Sequence, residues 1–147
     1  MGEASTDVVI RSYVATDRAA LESLWSDVFP DDPAWNAPSA LIERKLTVQP
    51  ELLLVATTPA GLVGAVMAGF DGVRGWLHHL AVSPGARRQG IATRLIRAAE
   101  AGLQGRGCTK VNLQVRATNP GVVSFYRRLG YDVEDRISMG RSLSEPD

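Results

Sequence analysis

Cysteine is nearly absent from this sequence, in which Cys108 is the only one among 147 residues. A single cysteine forms no internal disulfide and has no cysteine partner at metal-ligand spacing. We therefore expect a small buried thiol at this position. A disulfide-stapled scaffold is excluded, and no metal is expected in the functional site.

An excess of charge of either sign is also missing. Sixteen Lys and Arg residues balance sixteen Asp and Glu residues, so the formal net charge is zero. A balanced chain has no general attraction for polyanions, so a nucleic-acid partner is not expected. The sequence shows no charged segment before an apolar run and no apolar run of membrane-spanning length. These absences predict a cytoplasmic protein without a membrane partner.

Hydrophobic residues make up 45% of the chain, enough to bury one sizeable core. We expect a single domain over 1–147, with flexible ends at about 1–6 and 143–147. No internal repeat, low-complexity segment or linker is present.

Hydrophobic patterns in the first half predict strands and helices in alternation. Helical spacing over 16–29 and 39–48 predicts two helices, joined by a proline-rich loop at 30–38. The last three strands of this half are separated by glycine-containing turns, which predicts an antiparallel meander. The predicted strands are 8–13, 52–57, 62–70 and 76–82.

The second half predicts a βαβ unit followed by a helix and a strand. A helix from Gly90 to about Gln104 precedes a strand at 110–115, so the strands on either side of this helix are expected to be parallel neighbours. Asn119-Pro120 begins another helix, because proline suits the first helical turn. Residues 131–141 are expected to form a final strand.

A basic turn follows the strand that ends at Val82. Ser83-Pro84-Gly85 ends the strand, two arginines follow, and Gly90 opens the next helix. A helix N-terminus presents free backbone N–H groups and a partial positive charge, and so favours a phosphate. The residues alone leave two interpretations open, a phosphate cradle and an ordinary capped surface helix. Neither a Walker A loop nor a dinucleotide fingerprint is present.

This turn resembles motif A of the GNAT superfamily of N-acetyltransferases. Leu80-Ala81-Val82-Ser83-Pro84 precedes Arg87-Arg88-Gln89-Gly90-Ile91-Ala92. In the family, the pattern Arg/Gln-x-x-Gly-x-Gly/Ala binds the pyrophosphate of acetyl-coenzyme A. Its three fixed positions are filled here by Arg87, Gly90 and Ala92.

A second stretch, Asn119 to Tyr131, resembles GNAT motif B, with an early Asn, a Phe-Tyr pair and a closing Leu-Gly-Tyr. By itself this stretch also fits an amphipathic helix with a buried tyrosine. Both motifs occur in the family's order, and the resemblance covers nearly the whole chain. Within the family, the chain resembles the bacterial YpeA-like acetyltransferases at four short stretches. These are Ile42–Lys45, Asp71–Gly75, Arg106–Lys110 and Arg128–Tyr131.

The resemblance implies an α/β fold. Its sheet is mixed, mostly antiparallel and six- to seven-stranded, with four flanking helices and parallel, splayed strands 4 and 5. The implied activity is transfer of the acetyl group of acetyl-CoA to a primary amine of a small molecule or peptide, by direct attack on the thioester. The alternatives are a non-catalytic acyl-CoA sensor or partner-binding module and, third, a nucleotide-binding protein. The acceptor, the acyl chain and the oligomeric state, a homodimer included, stay open.

The resemblance also assigns site residues. The backbone of Leu80, Ala81 and Val82 is expected to pair with the pantetheine arm, which Asn119 also touches. Tyr126 is expected near the sulfur, where its hydroxyl protonates the leaving thiolate. The pyrophosphate is expected to bind the helix N-terminus and the turn before it. The residues of that cradle are Arg87, Arg88, Gln89, Gly90, Ile91, Ala92 and Thr93.

His78 and His79 are the only histidines, and adjacent strand residues point to opposite faces. His78 occupies a position where several GNAT enzymes carry a cleft-facing Glu or His, and an unperturbed imidazole titrates near neutral pH. It is a candidate base or proton relay, with a structural role as the alternative. His79 is expected to pack under the third helix. Ordered water is another candidate for deprotonating the substrate.

Substrate recognition is expected from the loop at 29–38, the second helix and the strand near 69–73. Asp31, Asp32 and Trp35 are candidates for binding a cationic amine through charge and cation–π contact. The alternative is a solvated loop whose tryptophan packs on the body of the protein.

Overall fold

The structure, a computed structural model, describes residues 7–116 and 118–143. The predicted flexible residues 1–6 and 144–147 lie outside the described residues. The chain divides into two compact units, one ending at Gln114 and one beginning at Val115. No helix in the described ranges is long and apolar enough to cross a membrane.

The elements up to α4 follow the predicted order, with bounds that differ from the predicted ones by a few residues. The first unit contains β1 to β5 and α1 to α3, and the second contains α4. The strands are β1 Val9–Ser12, β2 Leu53–Thr58, β3 Gly61–Phe70, β4 Gly75–Val82 and β5 Val111–Leu113. The helices are α1 Arg18–Val28, α2 Pro38–Lys45, α3 Ile91–Gln104 and α4 Pro120–Arg128.

One sheet contains all five strands in the order β1-β2-β3-β4-β5. The first four strands pair antiparallel, which confirms the predicted meander. β4 and β5 pair in parallel, as expected for strands joined by a crossover helix. The α/β class, the mixed sheet and the four helices are therefore confirmed.

The predicted strand number is wrong, because the described residues form a sheet of five strands where six or seven were expected. The described residues after α4 form no strand, although 131–141 were predicted as one. Val133, Ile137 and Met139 are 66%, 90% and 92% exposed, so their alternation does not bury an apolar face. A strand exists only within a ladder, and alternation specifies neither a partner nor a buried face.

The sheet is covered on both faces. On one face, Leu21 and Trp25 of α1 and Ile42 of α2 form a buried cluster with inward side chains of β2, β3 and β4. On the other face, α3 packs closely. A Cβ at Gly75 of β4 would lie 2.8 Å from Leu103 Cδ1, so this glycine permits the close approach of helix and strand.

β3 extends beyond β2, and side chains from the end of α2 and from the α2–β2 connection complete its hydrogen bonds. Nζ of Lys45 donates to the Ala68 carbonyl. The Gln49 amide accepts from the Phe70 N–H at 2.8 Å and donates to the Phe70 carbonyl at 2.9 Å. These two side chains act in place of a strand partner where β2 has not yet begun. The contact holds an ammonium group among buried residues, since Lys45 is 7% exposed.

Lys45 makes the stability of the protein depend on pH. Burial, followed by the charge of Arg106, lowers the pKa of Lys45 from 10.5 to about 8. Between these values the unfolded chain binds more protons, so the free energy of unfolding rises with pH in this window. Below pH 8 both states are protonated, and the contribution of Lys45 stays constant. We expect wild type to gain on the order of 2 kcal/mol relative to Lys45→Met between pH 7 and 10.5.

Urea unfolding at several pH values measures this difference. Lys110→Met is the matched control, because Lys110 is exposed and we expect its substitution to leave the pH dependence unchanged. If the free energy of unfolding of Lys45→Met changes with pH across this window as that of wild type does, Lys45 is not the source of the pH dependence.

Candidate active site

β4 parts from β5 halfway along its length. Their pairing runs from Gly75–Val111 to Leu77–Leu113, whereas β4 continues to Val82. Within the described chain, the five residues after Leu77 have no partner on the β5 side. They include Leu80, Ala81 and Val82, the predicted partners of the pantetheine arm. This part of β4 has an edge that an extended ligand can join as an added strand.

A β-bulge interrupts β4 at the two histidines. The register with β3 shifts between the pairs Ala65–Ala81 and Met67–His78. His79 takes the left-handed conformation, with φ 54°. Such a residue costs free energy and persists only where surrounding contacts impose it. The contact here is Nε1 of Trp25, which donates to the His79 carbonyl at 3.0 Å.

The bulge places both histidines on the face covered by α1 and α2. Gly75 faces α3, so alternation directs His78 to the opposite face. The ring of His79 packs edge-on against Trp25 and Phe29, with centroids 5.6 Å and 5.0 Å away. The predictions that the two side chains point to opposite faces and that His79 packs under the third helix are therefore wrong. Regular alternation fails because His79 is the extra residue of the bulge.

Asp32 reaches β4 from the loop between α1 and α2. Its Oδ2 lies 2.9 Å from Nε2 of His79, and the two side chains are 12% and 16% exposed. A carboxylate is an acceptor, so it holds the imidazole in the tautomer with hydrogen on Nε2. Asp32, predicted as a ligand for a cationic amine, thus orients a histidine.

The other predicted residues of this loop are more open. Asp31 is exposed, and Trp35 is 49% exposed. Nη2 of Arg44 donates to the Trp35 carbonyl at 2.5 Å and so fixes the backbone of the loop. The indole keeps a free surface, unlike the buried ring of Trp25.

His78 is an exposed residue, but its imidazole lies close to other protein groups. Desolvation, followed by the charges of His79 and Lys45, lowers the pKa of His78 below 6.5. Its imidazole is therefore neutral at pH 7, a state in which one ring nitrogen can accept a proton.

The basic turn has the form of an anion cradle. Arg88 and Gly90 both adopt left-handed backbone conformations, with φ 67° and 76°. No described side chain caps the N-terminus of α3, so the first amides of that helix have no side-chain acceptor. A Cβ at Gly90 would meet no protein atom within 4 Å, which leaves open space above the turn. These features fit a phosphate group.

The remaining residues of the cradle differ in how deeply they are buried. Ile91 is buried and fixes the start of α3, while Gln89 is exposed and Ala92 and Thr93 are half-buried. Nε of Arg87 donates to the Val82 carbonyl at 3.0 Å, so this arginine ties the turn to the end of β4. The structure thus brings the turn, the open edge of β4 and the two histidines onto one strand and its continuation.

Asn119 and Tyr126 belong to the second unit. Asn119 directly precedes α4, and its side chain makes no capping hydrogen bond there. Tyr126 is buried, and its ring packs edge-on against Phe125 and Tyr131. Burial raises the pKa of Tyr126 to about 12, so its hydroxyl stays protonated throughout the physiological range.

Sequence reasoning missed the Asp32–His79 contact. The two residues are 47 positions apart, and no local pattern links them. The available signals were the two adjacent histidines on a short strand and the acidic pair in the loop, and neither specifies the other as its partner.

Comparison with known proteins places these features in a family. The model of the family described as "Acetyltransferase (GNAT) family" matches residues 18–131. An acetyltransferase of Yersinia enterocolitica is 41% identical over 134 residues, covering 91% of this chain and 94% of that protein. An acetyltransferase of Pectobacterium atrosepticum is 42% identical over 136 residues, covering 92% and 96%.

Solved structures share the fold at lower identity. One is AAC(6')-Iy with the bisubstrate analogue CoA-S-monomethyl-acetylneamine, with a TM-score of 0.78, 21% identity and coverage of 92% of this chain and 97% of that chain. Another is Ard1 from Thermoplasma volcanium, with a TM-score of 0.77, 19% identity and coverage of 86% and 84%.

Proposed function

This chain belongs to the GNAT family of acetyltransferases, and from that premise we propose that it transfers the acetyl group of acetyl-CoA to a primary amine of a small molecule or peptide. The observation that carries the proposal is the uncapped N-terminus of α3 behind the left-handed residues Arg88 and Gly90. It lies directly after the open edge of β4, so one strand and one turn offer consecutive sites for pantetheine and pyrophosphate.

The cofactor is held mainly by backbone groups. The pantetheine arm pairs with the β4 edge at Leu80 to Val82, and the amides from Arg88 to Thr93 donate to the pyrophosphate. Arg88 contributes charge, and Arg87 holds the turn against Val82 as well as adding charge. Asn119 contacts the pantetheine arm.

The reaction needs no bond to the enzyme. The acceptor ammonium loses a proton, its nitrogen attacks the thioester carbonyl carbon, and the C–S bond breaks as the amide forms. The hydroxyl of Tyr126 donates to the departing sulfur. His78 is a candidate base or relay, since its lowered pKa keeps it neutral at pH 7.

The loop between α1 and α2 is proposed to receive the acceptor. Asp31 is exposed and acidic, and Trp35 offers an exposed aromatic face for a cation. The amine-derived analogue named for AAC(6')-Iy supports an amine acceptor.

Thermal unfolding with acetyl-CoA tests the cradle. A ligand at one hundred times its Kd stabilises by about 2.7 kcal/mol, which corresponds to a Tm increase of about 5–10 °C for a chain of this size. We expect this increase with acetyl-CoA but not with ATP at the same concentration. Thiol release with an amine panel then tests transfer. An increase without thiol release would indicate an acyl-CoA sensor, and no increase at millimolar acetyl-CoA would refute the proposed cofactor site.

A further inference from the structure

We propose that the Asp32–His79 pair is the proton acceptor of the reaction, with Nδ1 of His79 taking the proton that the acceptor ammonium loses. The inference rests on the proposed function and assigns the proton-accepting role to His79. Alternation along the strand had predicted this residue on the sheet face opposite His78. It follows from three observations on the α1/α2 face of β4: the orientation of the imidazole, its position on the strand, and the groups that surround it.

The orientation leaves one nitrogen available. Nε2 of His79 lies 2.9 Å from Oδ2 of Asp32, so Nε2 carries the hydrogen and Nδ1 carries the lone pair. No described residue forms a hydrogen bond with Nδ1. A carboxylate in this arrangement holds the tautomer and stabilises the imidazolium as it forms.

The position is the point where β4 opens. His79 is two residues past Leu77, the last residue of β4 that pairs with β5. A ligand arm that runs back along β4 from the cradle passes Val82, Ala81 and Leu80 before it reaches this bulge. From Ser83 to His79 the strand spans about 13 Å. The reactive end of a cofactor anchored at the turn is therefore directed toward His79.

The bulge is held in place by contacts to Trp25 and Phe29. His79 keeps its left-handed backbone through the hydrogen bond from Trp25, and its ring is confined between Trp25 and Phe29. The side chain remains 16% exposed. Backbone strain of this kind is common where a side chain must be aimed at a reaction.

Within the described ranges, few charged groups face His79. The loop presents Asp32, and β4 presents the adjacent His78. The ring of Trp25 in α1 and the ring of Phe29 directly after it pack against His79, and α2 presents Lys45, whose charge acts on His78. On this face β3 presents apolar side chains, Ala65 and Met67 among them. Asp32 is therefore the carboxylate positioned to compensate an imidazolium at His79.

The step balances without a further reactant. R–NH3+ gives one proton to Nδ1, the free electron pair forms the C–N bond, and the C–S bond breaks. The thiolate gains a proton as the nitrogen loses its second, and the imidazolium releases its proton to water. The products are the amide, the CoA thiol and one proton.

The pH profile of two variants tests this role. His79→Asn keeps the left-handed backbone, which Asn tolerates, but removes the imidazole. Asp32→Asn keeps a hydrogen bond but favours the wrong tautomer. We measure kcat/KM with whichever of a lysine peptide, a polyamine or an aminoglycoside wild type acetylates. Both variants are expected to lose about tenfold or more at pH 7, and the defect is expected to shrink as the pH nears the pKa of the amine, because the amine then arrives deprotonated.

A merely structural role predicts a different result. Loss of packing lowers the rate by the same factor at every pH, and that outcome, or wild-type rates in both variants, would overturn the assignment. Asp27→Asn is the matched control, since it removes an exposed carboxylate of α1 and is expected to leave the profile unchanged. If wild type binds acetyl-CoA but acetylates none of these amines at any pH, the proposed function fails first, and the role of the pair fails with it.

Discussion

Tyr126→Phe is expected to lower kcat by about 10²–10³-fold while acetyl-CoA binding is retained. The substitution removes one hydroxyl and keeps the ring that packs against Phe125 and Tyr131, so the fold of α4 is preserved. Steady-state thiol release at saturating acceptor measures kcat, and the Tm increase with acetyl-CoA measures binding.

The pKa of Tyr126 determines whether its hydroxyl donates a hydrogen bond or transfers its proton. At about 12, the phenol stays protonated and is always a donor. A thiol has an ordinary pKa of about 8.5, so full transfer from this phenol to the thiolate is uphill by roughly 3–4 pKa units. We therefore expect Tyr126 to stabilise the departing sulfur by hydrogen bonding and to lose its proton only as it receives one from the nitrogen.

Tyr131→Phe is the matched control, because it removes a hydroxyl from the ring that contacts Tyr126. We expect it to change kcat by less than about threefold. Equal turnover by wild type and Tyr126→Phe would show that the sulfur needs no donor from this residue.

Gly90→Asn is expected to weaken acetyl-CoA binding by on the order of 10²-fold without unfolding the protein. The open space above Gly90 lets the side chain fit in the free protein, and Asn tolerates a left-handed backbone. In the complex, the same space is proposed to hold the pyrophosphate, so any side chain there separates the phosphate from the amides of α3.

Two variants separate this effect from strain. Gly90→Val adds a β-branched side chain at φ 76° and is expected to lose stability as well as affinity. Gly85→Ala lies on the same turn, where a Cβ meets no atom within 4 Å and no left-handed φ is required, and is expected to bind acetyl-CoA normally. Calorimetric titration gives the three affinities. If Gly90→Asn binds acetyl-CoA as tightly as wild type, the turn at Gly90 does not bind the pyrophosphate.

Predictions from the sequence were correct where they depended on residues that lie close together along the chain. A short strand, a turn with two arginines and a glycine before an amphipathic helix are local features, and the structure has β4, this turn and α3 in that order. The helical crossover between β4 and β5 likewise predicted a parallel pair, because a crossover helix returns the chain to the same end of the sheet. The two motifs, in their order, also identified the acetyltransferase family.

The same local reasoning failed at the C-terminal segment and at the histidines. A strand was expected over 131–141, but a strand requires a partner, and the described chain supplies none there. Alternation also predicted opposite faces for His78 and His79. It could not include the bulge, because that bulge depends on a hydrogen bond from Trp25, 54 residues earlier in the chain.

By itself, therefore, the sequence determined the element order, the family and the position of the basic turn before α3, since each depends on residues that are close together along the chain. Only the tertiary structure decided that Asp32 meets His79, that both histidines share one face, and that Lys45 and Gln49 complete the edge of β3. Those contacts join residues 21 to 54 positions apart, and they form only where burial makes an unpaired polar group costly.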